Sequence, residues 1–260
     1  MHTLTHFRLC PFSRAARLAL AEVGIVTVLV EERAWEWRPE FLALNPAGEL
    51  PVLQIDDAAP ICGIYAIAEY LAAAPPPDEF DVTAPAAIED AAPELDLEDV
   101  AAATTDDDSA ALVNFGLFPG TAPERAEIRR LVDWFNGKFN REITQELLYE
   151  RVYSRLQPDR PTPDVDVLRA IATNLRYHMS YVNHLADQRR WLAGDELSFA
   201  DLAAAAQLSV VDYLGEVPWE DYPIAKVWYA RLKSRRSFRG LLSDRLPGTL
   251  PSAHYADLDF

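Results

Sequence analysis

The sequence is short of several things, and each shortage excludes something. Of 260 residues only two are cysteine. Cys10 and Cys62 lack paired spacing, which argues against a disulfide scaffold and against a Cys/His metal framework. A reducing, cytoplasmic setting suits such usage. No run of 18 or more apolar residues occurs, so no membrane span is expected. No basic, then apolar, then small-residue leader precedes the first β-like run, so export is not expected either. Phosphate loop, nucleophile elbow and dinucleotide fingerprint are all missing. His178 and His184 do not fall on one helix face, and His2 and His6 precede or sit in a strand. Positive charge is scarce: 24 Lys and Arg stand against 41 Asp and Glu, for a net charge of −17. Nucleic-acid affinity rests largely on cationic contacts to phosphate, so a nucleic-acid partner is disfavoured.

What is present is enough for a globular protein. Half the residues are hydrophobic and a quarter charged, and the length allows a sizeable core and two domains. The chain is organised around 45–71, NPAGELPVLQIDDAAPICGIYAIAEYL. A turn-forming Asn45-Pro46-Ala47-Gly48 leads into an apolar β-run, Pro51 to Ile55. A second short run, Pro60-Ile61, follows a turn at Asp56-Asp57, and a helical pattern starts at Ile64. Proline donates nothing to a β-ladder, so Pro51 at the mouth of a strand points to a cis X–Pro bond turning the backbone towards a ligand or partner.

Before this stretch, residues 3–9 alternate as a strand does. Cys10-Pro11-Phe12-Ser13 then opens a helix that passes through Leu18, Leu20 and Val23 and stops at Gly24, with Pro11 suited to its first turn. Val26 to Val30 reads as a second strand. From Ala122 the chain reads as helix almost to its end. Ile128, Leu131, Val132, Phe135, Phe139, Ile143, Leu147 and Val152 mark one apolar face of a long helix, and Val165 to Leu185 mark its neighbour. Ser198-x-x-Asp201 forms a capping box ahead of an Ala-rich helix. Two further helices are expected over 218–233 and 237–243.

Strand, helix, strand, connection, two strands, helix is a thioredoxin-like order. With the Pro-Val-Leu strand start at 51–53 and the Ser198/Asp201 element, the chain resembles the glutathione S-transferase superfamily over about 1–74 and 122–243. The resemblance implies a thioredoxin-like α/β domain at 1–74 and an all-helical domain at 122–243. They would be joined by an acidic linker or insertion at 75–121 and followed by a partner-binding tail at 244–260. The Ser198/Asp201 pair would serve folding. The family's glutathione site maps onto Cys10, Ser13, Leu50, Pro51, Gly63 and Ile64. Where relatives carry a Glu/Gln-Ser pair for the amino-acid head of glutathione, Gly63-Ile64 stands, with no side-chain hydrogen bond to offer. Losing two such bonds should cost roughly 2–4 kcal/mol, about 30- to 1000-fold in affinity. No cofactor is therefore expected, or glutathione alone if the chain is an enzyme.

Cys10 is the one credible nucleophile. A thiol ahead of a helix N-terminus, with Arg14 and Arg17 near, is expected to have a lowered pKa. Cys-Pro-x-Ser resembles one-cysteine glutathione-dependent sites, and the bland alternative is a small packed residue. Trp35, Trp37 and Arg38 read either as a partner surface, since Trp and Arg dominate hot spots, or as packing over the sheet. The stretch 76–114, with twelve acidic residues and no Lys or Arg between Pro75 and Asn114, reads as a solvated loop or a docking arm.

The tail cannot continue a helix through Pro247, Gly248 and Pro251. Its Tyr255, Leu258 and Phe260, spaced by Asp257 and Asp259, suit docking either back on the domain or into another protein. Tyr255 to Phe260 (YADLDF), Trp35 to Pro39, Leu20 to Gly24 and Val217 to Pro223 resemble the GST-like cell-division proteins of alphaproteobacteria that bind FtsZ. That resemblance implies a cytoplasmic homodimer at the division site, with FtsZ as partner and, by likeness alone, the septal wall-synthesis machinery. Tyr255, Leu258, Asp259 and Phe260 would be the tail contacts. Removing the tail after Pro247 is expected to leave stability nearly unchanged. A glutathione transferase or thiol reductase using Cys10 is the alternative.

Overall fold

The computed structural model describes residues 1–73, 116–156 and 162–258. The acidic stretch 76–114, Asp259 and Phe260 lie outside the described residues. Strand β1 (His2–His6), helix α1 (Pro11–Glu22), β2 (Thr27–Glu31), α2 (Pro39–Leu44), β3 (Val52–Ile55), β4 (Ile61–Cys62) and α3 (Ile64–Ala73) follow in that order. The sheet runs β2-β1-β3-β4, with β1 parallel to β2 and β3 antiparallel to both β1 and β4. This is a thioredoxin-like sheet. Pro11 at the first helical position opens α1, and Gly24, at φ +76°, sits just past its end, the backbone region that a Cβ disfavours.

The remainder is helical. Helix α4 begins as Ala122–Asp133 behind a Thr121–Glu124 capping box. It winds on as a π-helix over Trp134–Thr144, an α-helical turn at Gln145–Leu148, a second π stretch at Tyr149–Tyr153, and Ser154–Leu156. The single apolar face read from Ile128 to Val152 is buried along this whole length. Through the π stretch the buried residues Phe135, Phe139 and Ile143 recur at four. Helices α5 (Val165–Gln188), α6 (Phe199–Tyr213), α7 (Pro223–Lys233) and the short α8 (Arg239–Leu242) complete the bundle.

Helix α6 is the axis of the molecule, with every residue from Phe199 to Tyr213 buried. Its Ala-rich face lets α1 pack closely from the other layer. Ser198 and Asp201 fix its start. Asp201 Oδ1 accepts from the Leu192 N–H (2.8 Å) and Trp228 Nε1 (3.0 Å), and Oδ2 accepts from the Ser198 N–H and hydroxyl, both at 3.1 Å. The box therefore ties a helix end to two other segments as well as capping it.

Candidate functional site

The residues read as a glutathione-type site come together at one end of the sheet, around the start of α1. The Leu50–Pro51 peptide is cis. The Gly63 N–H donates to the Pro51 carbonyl at 2.9 Å, which places β4 and the start of α3 beside the proline. Gly63 has φ +85° and open space where a Cβ would project. Ile64 is buried in the main apolar core. Neither residue brings a polar side chain to this corner. Ser13 is fully buried, and its hydroxyl accepts from the Phe7 N–H at 3.3 Å, so it braces the β1–α1 loop.

Cys10 is the N-cap of α1, as its position before Pro11 predicts. Its thiol, however, is pushed up from the ordinary range. Burial is the largest influence and outweighs the hydrogen bonding from Ser13 and the helix N–H groups. The sequence-based expectation of a lowered pKa is corrected on this point, because Cys10 packs against the cluster of Phe7, Leu50, Val52 and Tyr255. Cys62 likewise has its thiol pushed up by burial. Both cysteines are free.

The positive charge expected to act on Cys10 is committed elsewhere. Arg14 is fully buried. Its Nε donates to the Arg8 carbonyl (2.7 Å), its Nη1 to Ser209 Oγ of α6 and to Tyr255 Oη of the tail (both 2.8 Å), and its Nη2 to Asp244 (3.3 Å). Arg17 reaches the same Asp244 oxygen at 2.8 Å. A helix of the sheet layer, the central helix of the bundle and the C-terminal segment are thus clamped by one guanidinium. The clamp was missed in the sequence. Its signal was a pair of arginines, Arg14 and Arg17, set among the Ala and Leu residues of α1.

His6 lies in the same layer, 4% exposed, with Nδ1 lacking a partner. Burial first, then the charge of Arg17, lowers its pKa from 6.5 to about 4, against an opposing pull from Asp244. The folded state holds His6 neutral where the unfolded chain would take up a proton. Stability from this group is full above pH 6.5 and falls as pH drops towards 4, by about 3 kcal/mol in all. Urea midpoints between pH 6.5 and 4.5 should fall more steeply for the natural protein than for His6→Gln.

The two tryptophans have separated roles. Trp35 packs edge-on against Phe7 at 4.9 Å and tilted against Tyr153 at 4.8 Å. With Arg33, Val152, Arg155 and Leu246 to Thr249 it lines a cavity of about 330 Å³ between the sheet layer and the start of the tail. Trp37 is 63% exposed. Its backbone is left-handed at φ +50°, and its ring lies where a Cβ on Gly48 would meet it at 3.0 Å. The next residue locks the turn. Arg38 grips the buried Glu32 through two bonds, Nε to Oε1 at 3.1 Å and Nη2 to Oε2 at 2.5 Å, and this holds Glu32 below the usual carboxylate range. A large aromatic is thereby presented to solvent on a braced turn.

The tail folds back on the bundle. Tyr213 Oη donates to the Thr249 carbonyl (2.7 Å) and accepts from the Leu246 N–H (3.0 Å). The Ser252 N–H donates to the Tyr213 carbonyl at 2.8 Å. His254 Nε2 lies 2.9 Å from Asp212. Lys233, itself buried, donates to the Asp257 carbonyl at 2.6 Å. Tyr255 is fully buried, edge-on to Tyr213 at 5.1 Å, and its hydroxyl donates to the Leu241 carbonyl at 3.0 Å. In this conformation Tyr255 is an anchor facing inward, which corrects its reading as a contact for another protein. Leu258 is 42% exposed. Asp259 and Phe260 lie outside the described residues. The tail start and Trp35 share one groove, whereas Tyr255 is inside and Trp37 outside.

Among the described residues no cluster of His, Cys, Asp or Glu has the makings of a metal site, and no helix is long and apolar enough to cross a membrane.

A thioredoxin-like sheet with a cis proline beside the start of its third helix, set on a bundle around a capped buried helix, defines a glutathione S-transferase fold. The chain belongs to the glutathione S-transferase family: it matches the family's N-terminal domain over residues 9–74 and its C-terminal domain over 151–236. It is 41% identical to FtsZ-localized protein A of Caulobacter vibrioides over 99% of this chain and 98% of that protein. Among solved structures it resembles FzlA from C. crescentus, with 40% identity, a TM-score of 0.81 and coverage of 100% and 99% of the two chains. A glutathione S-transferase from Sinorhizobium meliloti is similar at 42% identity and a TM-score of 0.81, with both chains fully covered.

Proposed function

We propose that this chain is a GST-fold cell-division factor that associates with FtsZ filaments at the division site through protein contacts. The observation that carries the reading is the 41% identity to FtsZ-localized protein A across nearly the whole of both chains. Two features of the site support it. The corner that would hold the head of glutathione offers Gly63 and the core residue Ile64, and the thiol of Cys10 is held high by burial. The most exposed aromatic on the sheet layer is instead Trp37, fixed on its turn by Arg38 and Glu32. An exposed tryptophan on a rigid turn loses little entropy on docking, which is why such residues become hot spots. The end of the tail, where Leu258 is exposed, is the second contact. A homodimer would present both surfaces twice and gain by avidity on a polymer.

Pelleting with assembled FtsZ tests this directly. The natural protein should co-sediment, and Trp37→Ala should weaken the apparent affinity by about tenfold or more with its melting temperature nearly unchanged. Absence of the natural protein from the pellet would dismiss the reading. The competing one, a glutathione-dependent transferase or thiol reductase, is favoured by the Cys10-Pro11-Phe12-Ser13 start of α1. It requires retention on immobilised glutathione and turnover that disappears in Cys10→Ala.

A further inference from the structure

Strand β2 is the outer edge of the sheet: among the described residues it pairs with β1 alone. It is also apolar in an unusual place. Val28, Leu29 and Val30 are between 43% and 47% exposed, covering both faces of the strand. An edge of this kind is a template for another strand.

The ladder to β1 says which backbone groups are open. The Glu32 N–H donates to the His6 carbonyl, and the register pairs His6 with Glu31. In a parallel ladder the residues that bond one neighbour alternate with those that face away. Val28, Val30 and Glu32 are therefore engaged with β1, and Thr27, Leu29 and Glu31 direct their N–H and C=O groups outward. These three are symmetric about Leu29. A two-fold axis at Leu29 would set Leu29 opposite its own copy and Thr27 opposite Glu31 of that copy. Every facing pair would then exchange both backbone bonds.

Charge allows this register. Glu31 faces a threonine, not its own copy, and it is already paired with Arg8 at 2.7 Å. Like charges directly opposite, which destabilise a ladder, do not arise. Val28 would meet Val30 of the copy on one face and Leu29 its counterpart on the other, so the exposed apolar residues of the strand are covered together.

We propose that two copies of this chain pair along β2, antiparallel about a two-fold axis at Leu29, joining their sheets into one. The occupant is a second copy because the open groups, the apolar residues and the charges complement themselves about one point, as an isologous contact demands. A five-residue strand covers much less than the ~1,200 Å² of a stable interface. The contact is transient, and it adds to whatever else brings copies together.

Disulfide trapping tests it without reference to any other partner. Across a directly opposed, hydrogen-bonded pair the Cα atoms lie about 5.5 Å apart, within disulfide reach. Leu29→Cys should therefore form covalent pairs on mild oxidation at least about tenfold faster than Val26→Cys, which is more exposed (86%) but off the axis. The native Cys10 and Cys62 are common to both. As a second measurement, Leu29→Lys and Leu29→Glu should each lose the concentration-dependent association that the natural protein adds in sedimentation at high concentration, and their mixture should restore it. Equal trapping rates for the two cysteine variants, or no restoration on mixing, would overturn the proposal.

Discussion

A chain ended after Pro247 should melt about 10 °C or more below the full-length protein. Tyr255 is fully buried, and emptying the site of a large aromatic costs about 3–5 kcal/mol. For a domain of this size each kilocalorie moves the midpoint by about 2–4 °C. The cut also removes the Asp257 carbonyl from the buried ammonium of Lys233 and the imidazole of His254 from Asp212. Buried charges left with fewer partners add to the loss. The sequence alone led to the opposite expectation, that the tail is dispensable for stability. Ending the chain after Asp257 separates the anchoring of the tail from its proposed contact with FtsZ. Tyr255 and the Lys233 contact stay, only the tip is lost, and the melting temperature should move by less than about 2 °C. FtsZ pelleting by that shorter chain should fall. Thermal melts of the three chains read the structural part, and a loss after Asp257 as large as that after Pro247 would assign the anchoring to the tip.

Arg14→Met should cost about 3–5 kcal/mol in a urea titration. The guanidinium is fully enclosed, and its removal leaves Asp244, Ser209 and Tyr255 short of a donor in one stroke. Breaking one side of a buried charge pair typically has this cost, because the remaining groups keep their desolvation penalty and lose the interaction that offset it. Arg17 holds the same Asp244 oxygen from the rim, which tempers the loss at that carboxylate. Tyr255→Phe removes the hydroxyl while keeping the ring, and should cost about 1–2 kcal/mol. In a double-mutant cycle the pair should couple, since Tyr255 gains from Arg14 only while Arg14 is present. Additive losses would show that the two contacts act independently.

Much of the fold was legible in the sequence for local reasons. The strand entered at Pro51, the helix opened by Cys10-Pro11, its stop at Gly24 and the Ser198/Asp201 box are each written within a few residues by turn and cap chemistry. The second strand was placed at Val26 to Val30 and lies at Thr27–Glu31, a shift of the size that strand ends commonly show. The buried face of α4 was legible from its spacing. Its π winding was not read, although Leu131, Phe135, Phe139, Ile143 and Leu147 recur strictly at four residues, wider than the α-helical 3.6.

The sequence by itself determined the order of elements, the cis-proline corner and the lack of a polar side chain at Gly63 and Ile64. These are decided by backbone conformation and residue type at single positions. Only the tertiary structure decided which charges are clamps, which tryptophan is packed and which is displayed, and that Tyr255 faces inward. Arg14 and Tyr255 are 241 positions apart in the chain. Whether a thiol is activated or a tyrosine available depends on what lies beside it in space, and burial, a property of the assembled layers, sets both.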